Sequence, residues 1–198
     1  MIDYTNKLIF VHIPKTGGSS VESILCHEGF SNHNVRASQT VIDNNLQDNF
    51  PLGTHSPLSA QVHHISNKGI RADEFRRFAI VRNPWDRVTS YYKYHLQYGF
   101  IPSGMRFGHD YLKLKPFVLR SNILHMLDGS VDRILSFSNL SEEFNTLMDD
   151  LNVECPKLPI VNVSKDTTHY REFFKGDNEE LINVVRSCHV VESKKFKF

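Results

Sequence analysis

The hydrophobic positions of this chain fall into short runs separated by glycine, proline and polar stretches. Leu8-Ile9-Phe10-Val11-His12-Ile13 is a brief, partly β-branched run, the pattern of a buried strand. It leads into Pro14-Lys15-Thr16-Gly17-Gly18-Ser19-Ser20. Val21, Ile24 and Leu25 then recur at helical spacing, with Gly29 placed to stop the helix. Ser19 and Glu22 have the S-x-x-E spacing of a capping box. This opening segment predicts strand, glycine loop, helix. A second unit of the same kind follows. Phe78-Ala79-Ile80-Val81 reads as a buried strand, and Asn83-Pro84-Trp85-Asp86 opens a helix with asparagine as cap, proline at the first helical position and an acid in the first turn. That helix is expected to reach about Gln97, ahead of Gly99, Pro102 and Gly104.

Between these units, residues 31–51 are polar and asparagine-rich and predict a long surface connection; Ser56 to His64 predicts a short helix with Pro57 in its first turn. Further on, the pattern predicts helix from His109 to Met126 interrupted at Pro116, strand from Arg133 to Phe137, and helix from Ser141 to Leu151 packed through Phe144, Leu147 and Met148. A loop is expected around Pro156 to Val163, then a helical pattern through Tyr170, Phe173 and Phe174. There is no internal repeat and no linker rich in Gly, Ser or Pro. Strands alternating with helices predict an α/β fold, a single domain over 1–198 with a central, mainly parallel sheet flanked by helices.

Composition narrows the function classes. At 198 residues, 40% hydrophobic and 23% charged, the chain can bury a real core. A formal charge of +1 gives no reason to expect a nucleic-acid partner or an anionic membrane, so any basic site must be built locally. Cys26, Cys155 and Cys188 are scattered, which predicts neither a disulfide framework nor a cysteine metal site. No signal peptide and no apolar run of membrane-spanning length is visible, so the expected location is cytoplasmic, without a membrane span.

The glycine loop between strand and helix has the makings of an anion site. Backbone N–H groups at a helix start point outward, Gly17 and Gly18 allow close approach, and Lys15 supplies a cation. Lysine precedes the glycines, so the Walker order is absent, which argues against a standard ATPase or GTPase. In the second unit, Arg82 at the strand end and Ser90 two turns into the helix can face the same sheet edge, where open α/β folds bind ligands. Two such units suit a ligand carrying phosphates at two places. On the residues alone, Arg82 could equally form a surface ion pair with Asp86.

Phe10 to Ser20 resembles the 5'-phosphosulfate loop of the carbohydrate sulfotransferases, the family of the heparan and chondroitin enzymes, and Phe78 to Tyr92 resembles their 3'-phosphate motif. Weaker likeness continues: Arg133 to Leu140 resembles the strand before a late helix, with Ser138 where an acid is common, and Leu158 to Lys165 resembles a loop that closes over the nucleotide. The resemblance implies a P-loop-like fold and a sulfuryl donor, 3'-phosphoadenosine-5'-phosphosulfate (PAPS), with adenosine 3',5'-bisphosphate (PAP) as product. It implies Lys15 on the phosphosulfate bridge, loop contacts from Thr16, Gly17, Gly18, Ser19 and Ser20, Arg82 and Ser90 on the 3'-phosphate, and Ser164 near the nucleotide. The acceptor is expected to be a hydroxyl on a carbohydrate or small molecule. Residues 31–50 and 99–130, where acceptor specificity would reside, match no part of the family that we can name.

Sulfuryl transfer by in-line displacement needs positioning, stabilisation of the leaving phosphate and a base for the hydroxyl. His55, in Leu52-Gly53-Thr54-His55-Ser56-Pro57, resembles the family's Gly-His segment carrying the proposed base, with Thr54 inserted between the two. Neighbouring phosphates would favour its charged form and place the loss of rate between roughly pH 6 and 7.5. His12 is expected to be a packed or lining residue, and His63-His64 to lie on a helix surface. No metal is expected, because no Cys, His or acidic cluster has ligand spacing. The alternatives are a magnesium-dependent phosphate-loop kinase, which would need an aspartate ligand after a strand, and a non-catalytic module that binds a nucleotide or glycan.

Overall fold

The computed structural model describes residues 1–25, 52–120 and 123–198; Cys26, Gly29 and the polar connection expected over 31–51 lie outside these. The described residues divide into two compact units, Met1–Val81 with His125–Asn162, and Arg82–Leu124 with Val163–Phe198.

The first unit is α/β. Its strands are β1 (Ile2–Asp3), β2 (Leu8–Val11), β3 (Arg76–Val81) and β4 (Arg133–Ser136), in the spatial order β1-β2-β3-β4. The strands β2, β3 and β4 are parallel, with Phe10 opposite Phe78 and Phe78 opposite Arg133, while β1 pairs antiparallel with β2. The sheet is thus mainly parallel, as its continuous apolar runs predict. The antiparallel β1 escapes the hydrophobic pattern because it is so short. Its Asp3 is buried and accepts hydrogen bonds from the Asn6 N–H at 3.0 Å and the Asn6 amide at 2.8 Å.

Among the described residues, three helices of this unit flank the sheet: α1 (Gly18–Glu22), α2 (Leu58–Asn67) and, after Phe137, α6 (Leu140–Asp150). On one face Leu8, Phe10, Phe78, Ile80 and Leu135 alternate inward and pack with Val21 of α1, with Leu25 just after it, and with Phe144, Leu147 and Met148 of α6. Ile9, Val11 and Ala79 point the other way and are equally buried. Pro57 is the N-cap of α2, so that helix starts two residues later than Ser56 and runs past His64 to Asn67. His63 is exposed on it, as expected.

The second unit is helical. Its central element is α3 (Pro84–Gln97), whose start follows the local rules: the Asn83 side chain accepts from the N–H groups of Trp85 and Asp86, and Pro84 occupies the first helical position. Val88, Tyr91 and Tyr92 of α3 pack with Ile101, Phe107, with Tyr111 of α4 (His109–Leu114), with Val118 of α5 (Phe117–Arg120), and with Phe174 in a short 3₁₀ turn. The interruption at Pro116 falls between α4 and α5. Two C-terminal helices that the pattern reading missed complete the unit, α7 (Leu181–Cys188) and α8 (Val190–Phe196). Leu181 and Val185 of α7 join the aromatic core, and the Trp85 indole N–H donates to the Ile182 carbonyl at 3.1 Å.

Candidate functional site

In the first unit, β2 ends at Val11 and the chain turns sharply through the glycine loop into α1. Lys15 and Gly17 take left-handed backbone angles, φ 65° and 86°. Such angles are uncommon for a lysine and cluster at functional turns. The N–H groups of Thr16, Gly17, Gly18 and Ser19 have no hydrogen-bond partner among the described residues, whereas the Ser20 N–H bonds the Gly17 carbonyl at 3.1 Å. Those open donors and the half-buried Lys15 make the loop suited to an anion.

The side chains of the loop divide in a way the motif does not reveal. Thr16 is fully buried, its hydroxyl donating to the Ile13 carbonyl at 2.8 Å, so its side chain holds the loop's own shape. Ser20 is also buried, and its hydroxyl accepts from the Val161 N–H at 3.3 Å. This bond ties the late loop 158–162 to the start of α1. The capping box expected from Ser19 and Glu22 does not form. Left-handed Gly17 lets the helix begin at Gly18, which puts Ser19 inside the first turn, and the Glu22 carboxylate goes to His12 instead.

His12 and His55 come together beside this loop. The His12 Nδ1–H donates to Glu22 Oε1 at 2.8 Å, with both side chains largely buried. His55 meets the His12 ring edge to face at 4.6 Å between centroids. The His55 Nδ1 lies 2.8 Å from the His12 carbonyl oxygen. A carbonyl can only accept, so the proton sits on Nδ1, and in the neutral ring Nε2 keeps its lone pair. Burial, then the neighbouring His12, push the His55 pKa from 6.5 down to about 4. Part of His55 is exposed, and water there screens some of this effect. The expected rise depends on bound phosphates; in the donor-free protein the direction is downward. An imidazolium is poorly solvated at this place, and a phosphate would have to reverse that.

In the second unit, Arg82 and Ser90 are in direct contact: an Arg82 Nη1–H donates to Ser90 Oγ at 3.2 Å. The same guanidinium grips Asp86 through Nε and Nη2, both at 2.8 Å. The two readings of Arg82 are therefore compatible, since the ion pair with Asp86 aims the fork at Ser90. Ser90, Lys93 and Gln97 lie on one face of α3. Lys93 donates to the Asp166 carbonyl at 3.0 Å, and Gln97 Oε1 accepts from the Lys165 N–H at 3.2 Å. The stretch that carries Ser164 is thus pinned along the Ser90 face of α3. The Ser164 hydroxyl is buried there with no hydrogen-bond partner among the described residues. Such a group costs free energy until something bonds it.

The motif also contains a residue whose part was not legible. Arg87 is 1% exposed and donates to Glu192 of α8 at 3.1 Å, with His189 Nδ1 3.2 Å from the same carboxylate oxygen. Burial lowers the Arg87 pKa and Glu192 opposes it. Arg87 anchors α3, and so Ser90, to the C-terminal helices.

A sheet strand that passes through a glycine loop into a helix, with a cation in the loop, makes this an α/β protein with a loop suited to an anion. A family model described as "Sulfotransferase family" matches residues 1–115, more than half of the chain. The chain belongs to the sulfotransferase family, and its activity class is sulfuryl transfer. The match spans Lys15, His55, Arg82 and Ser90 and stops before Ser164. No curated protein and no solved structure matches the chain. Among the described residues, no helix is long and apolar enough to cross a membrane.

Proposed function

We propose that this chain transfers the sulfuryl group of PAPS to a hydroxyl of a carbohydrate or small molecule, as one sulfotransferase domain over 1–198. The acceptor oxygen attacks sulfur in line, the bond from sulfur to the bridging phosphate oxygen breaks, and PAP leaves with that electron pair. His55 Nε2 takes the acceptor proton. Lys15 and the open N–H groups of Thr16, Gly17, Gly18 and Ser19 receive the phosphosulfate and stabilise charge on the departing oxygen. Arg82 and Ser90 take the 3'-phosphate, and Ser164 offers its buried hydroxyl to the nucleotide. Lys15 supplies the charge compensation that magnesium gives a kinase, so this reading requires no metal.

The observation that carries the reading is the hydrogen bond from His55 Nδ1–H to the His12 carbonyl, which leaves Nε2 able to accept a proton. A base needs its second nitrogen held in this way. The test has a binding arm and a turnover arm. By calorimetry, PAP is expected to bind at least about tenfold tighter than AMP or ATP, because each charge-assisted hydrogen bond contributes roughly 1.5–3 kcal/mol. In an acceptor screen with labelled PAPS, His55→Ala is expected to keep PAP binding and lose about a hundredfold in turnover. Equal affinity for PAP and AMP would overturn the donor assignment, and full turnover in a stable His55→Ala protein would overturn the base. Turnover abolished by a chelator and restored by magnesium would point to the kinase instead.

A further inference from the structure

We propose that Glu22 and His12 form a carboxylate–imidazole pair that positions His55 for proton transfer, which makes both of them positioning residues of the reaction. The proposal rests on the reading of His55 as the base. Glu22 lies at the end of α1, the helix into which the phosphate loop leads, and its side chain is only 13% exposed. A carboxylate taken this far out of water needs a partner, and one beside an anion site more so. Its hydrogen bond to His12 Nδ1 supplies that partner and assigns the His12 proton to Nδ1.

The His12 ring is fixed on every side. Phe10 stacks on it at 5.5 Å between centroids, and Gly18 comes so close that a Cβ there would lie 2.2 Å from the ring carbon Cδ2. Gly18 is therefore needed for the ring as well as for the loop. His55, by contrast, sits in the exposed stretch Gly53-Thr54-His55. Its hydrogen bond and its ring contact both come from His12, one from the carbonyl and one from the ring. The His12 carbonyl and ring thus orient the base, and Glu22, together with Phe10 and Gly18, orients the His12 ring. Triads use the same logic, in which a carboxylate orients an imidazole; here the oriented ring in turn holds a second one.

The experiment compares Glu22→Gln, Glu22→Ala and the double variant His12→Phe with Glu22→Leu. Each is measured for kcat at saturating PAPS, PAP affinity, thermal stability and histidine ring ¹⁵N spectra, which report the tautomer. Glu22→Ala is expected to lose about tenfold to a hundredfold in kcat with PAP affinity unchanged, as misplacement of a reacting group does, and to mix the His55 tautomers. Glu22→Gln can accept the same bond and is expected to stay within about threefold of the native kcat. If Glu22→Ala does not fold, the double variant removes both polar partners at once, which spares stability, and the same kcat loss is expected. Native kcat with an unmixed His55 tautomer in Glu22→Ala or the double variant would overturn the proposal. So would equal losses in Gln and Ala accompanied by falling stability and PAP affinity, the signature of a merely structural role. His55→Ala run alongside separates the two claims: full turnover there removes the base assignment, while the His55 tautomer in the Glu22 variants still decides whether the pair orients that ring.

Discussion

Lowering the pH from 8 to 5 in the absence of donor should leave the His55 ring mostly neutral. Burial disfavours the imidazolium, the His12 ring adds to that, and the pKa falls from 6.5 to about 4. At pH 5 a group of pKa 4 is about nine-tenths neutral, whereas an ordinary histidine is about 3% neutral. If solvent at the exposed side halves the shift, about a third of the rings remain neutral at pH 5, still some tenfold more than for an unperturbed ring. The assay is a histidine NMR titration of the donor-free chain, with the His55→Ala spectrum giving the assignment. A midpoint well below 6 is expected. Adding PAP should raise it, because the phosphates stabilise the charged ring, so the acid limb of kcat should lie above the midpoint of the free protein. A midpoint at or above 6.5 in the donor-free chain would refute the argument from burial.

Lys15→Ala is expected to reduce kcat more than donor binding, because its charge matters most as the leaving oxygen becomes negative. Arg82→Ala should mainly weaken PAP binding, and adding Asp86→Asn should restore part of it, since the single variant leaves the Asp86 carboxylate facing the 3'-phosphate; calorimetry on the three variants reads this directly. Gly18→Ala should displace the His12 ring, with which its Cβ would overlap, and lower turnover; unchanged His12 and His55 ring resonances would contradict this. Glu192→Ala should cost about 3–5 kcal/mol in urea unfolding, because it strands the buried Arg87 charge, and replacing both residues by apolar ones should recover most of the loss.

What the chain's own order of residues settled is local. The apolar runs at 8–13 and 78–81, the Asn83-Pro84 helix start and the glycine loop each act over a few neighbours, so cap geometry and periodicity predict them, and α3 ends at Gln97 as its breakers imply. The Arg82–Asp86 ion pair was open at short range for the same reason, but that one guanidinium reaches both Asp86 and Ser90 is seen only in the structure. Other features belong to the tertiary structure alone. The His55–His12 hydrogen bond spans 43 positions, Arg87–Glu192 spans 105 and Val161–Ser20 spans 141. No spacing rule reaches that far. Glu22 shows the contest most plainly. Its local pattern offered a capping box, yet a buried imidazole within reach of α1 gave the carboxylate a stronger partner than a backbone N–H at the helix start could, because a charge removed from water gains most from a partner removed with it.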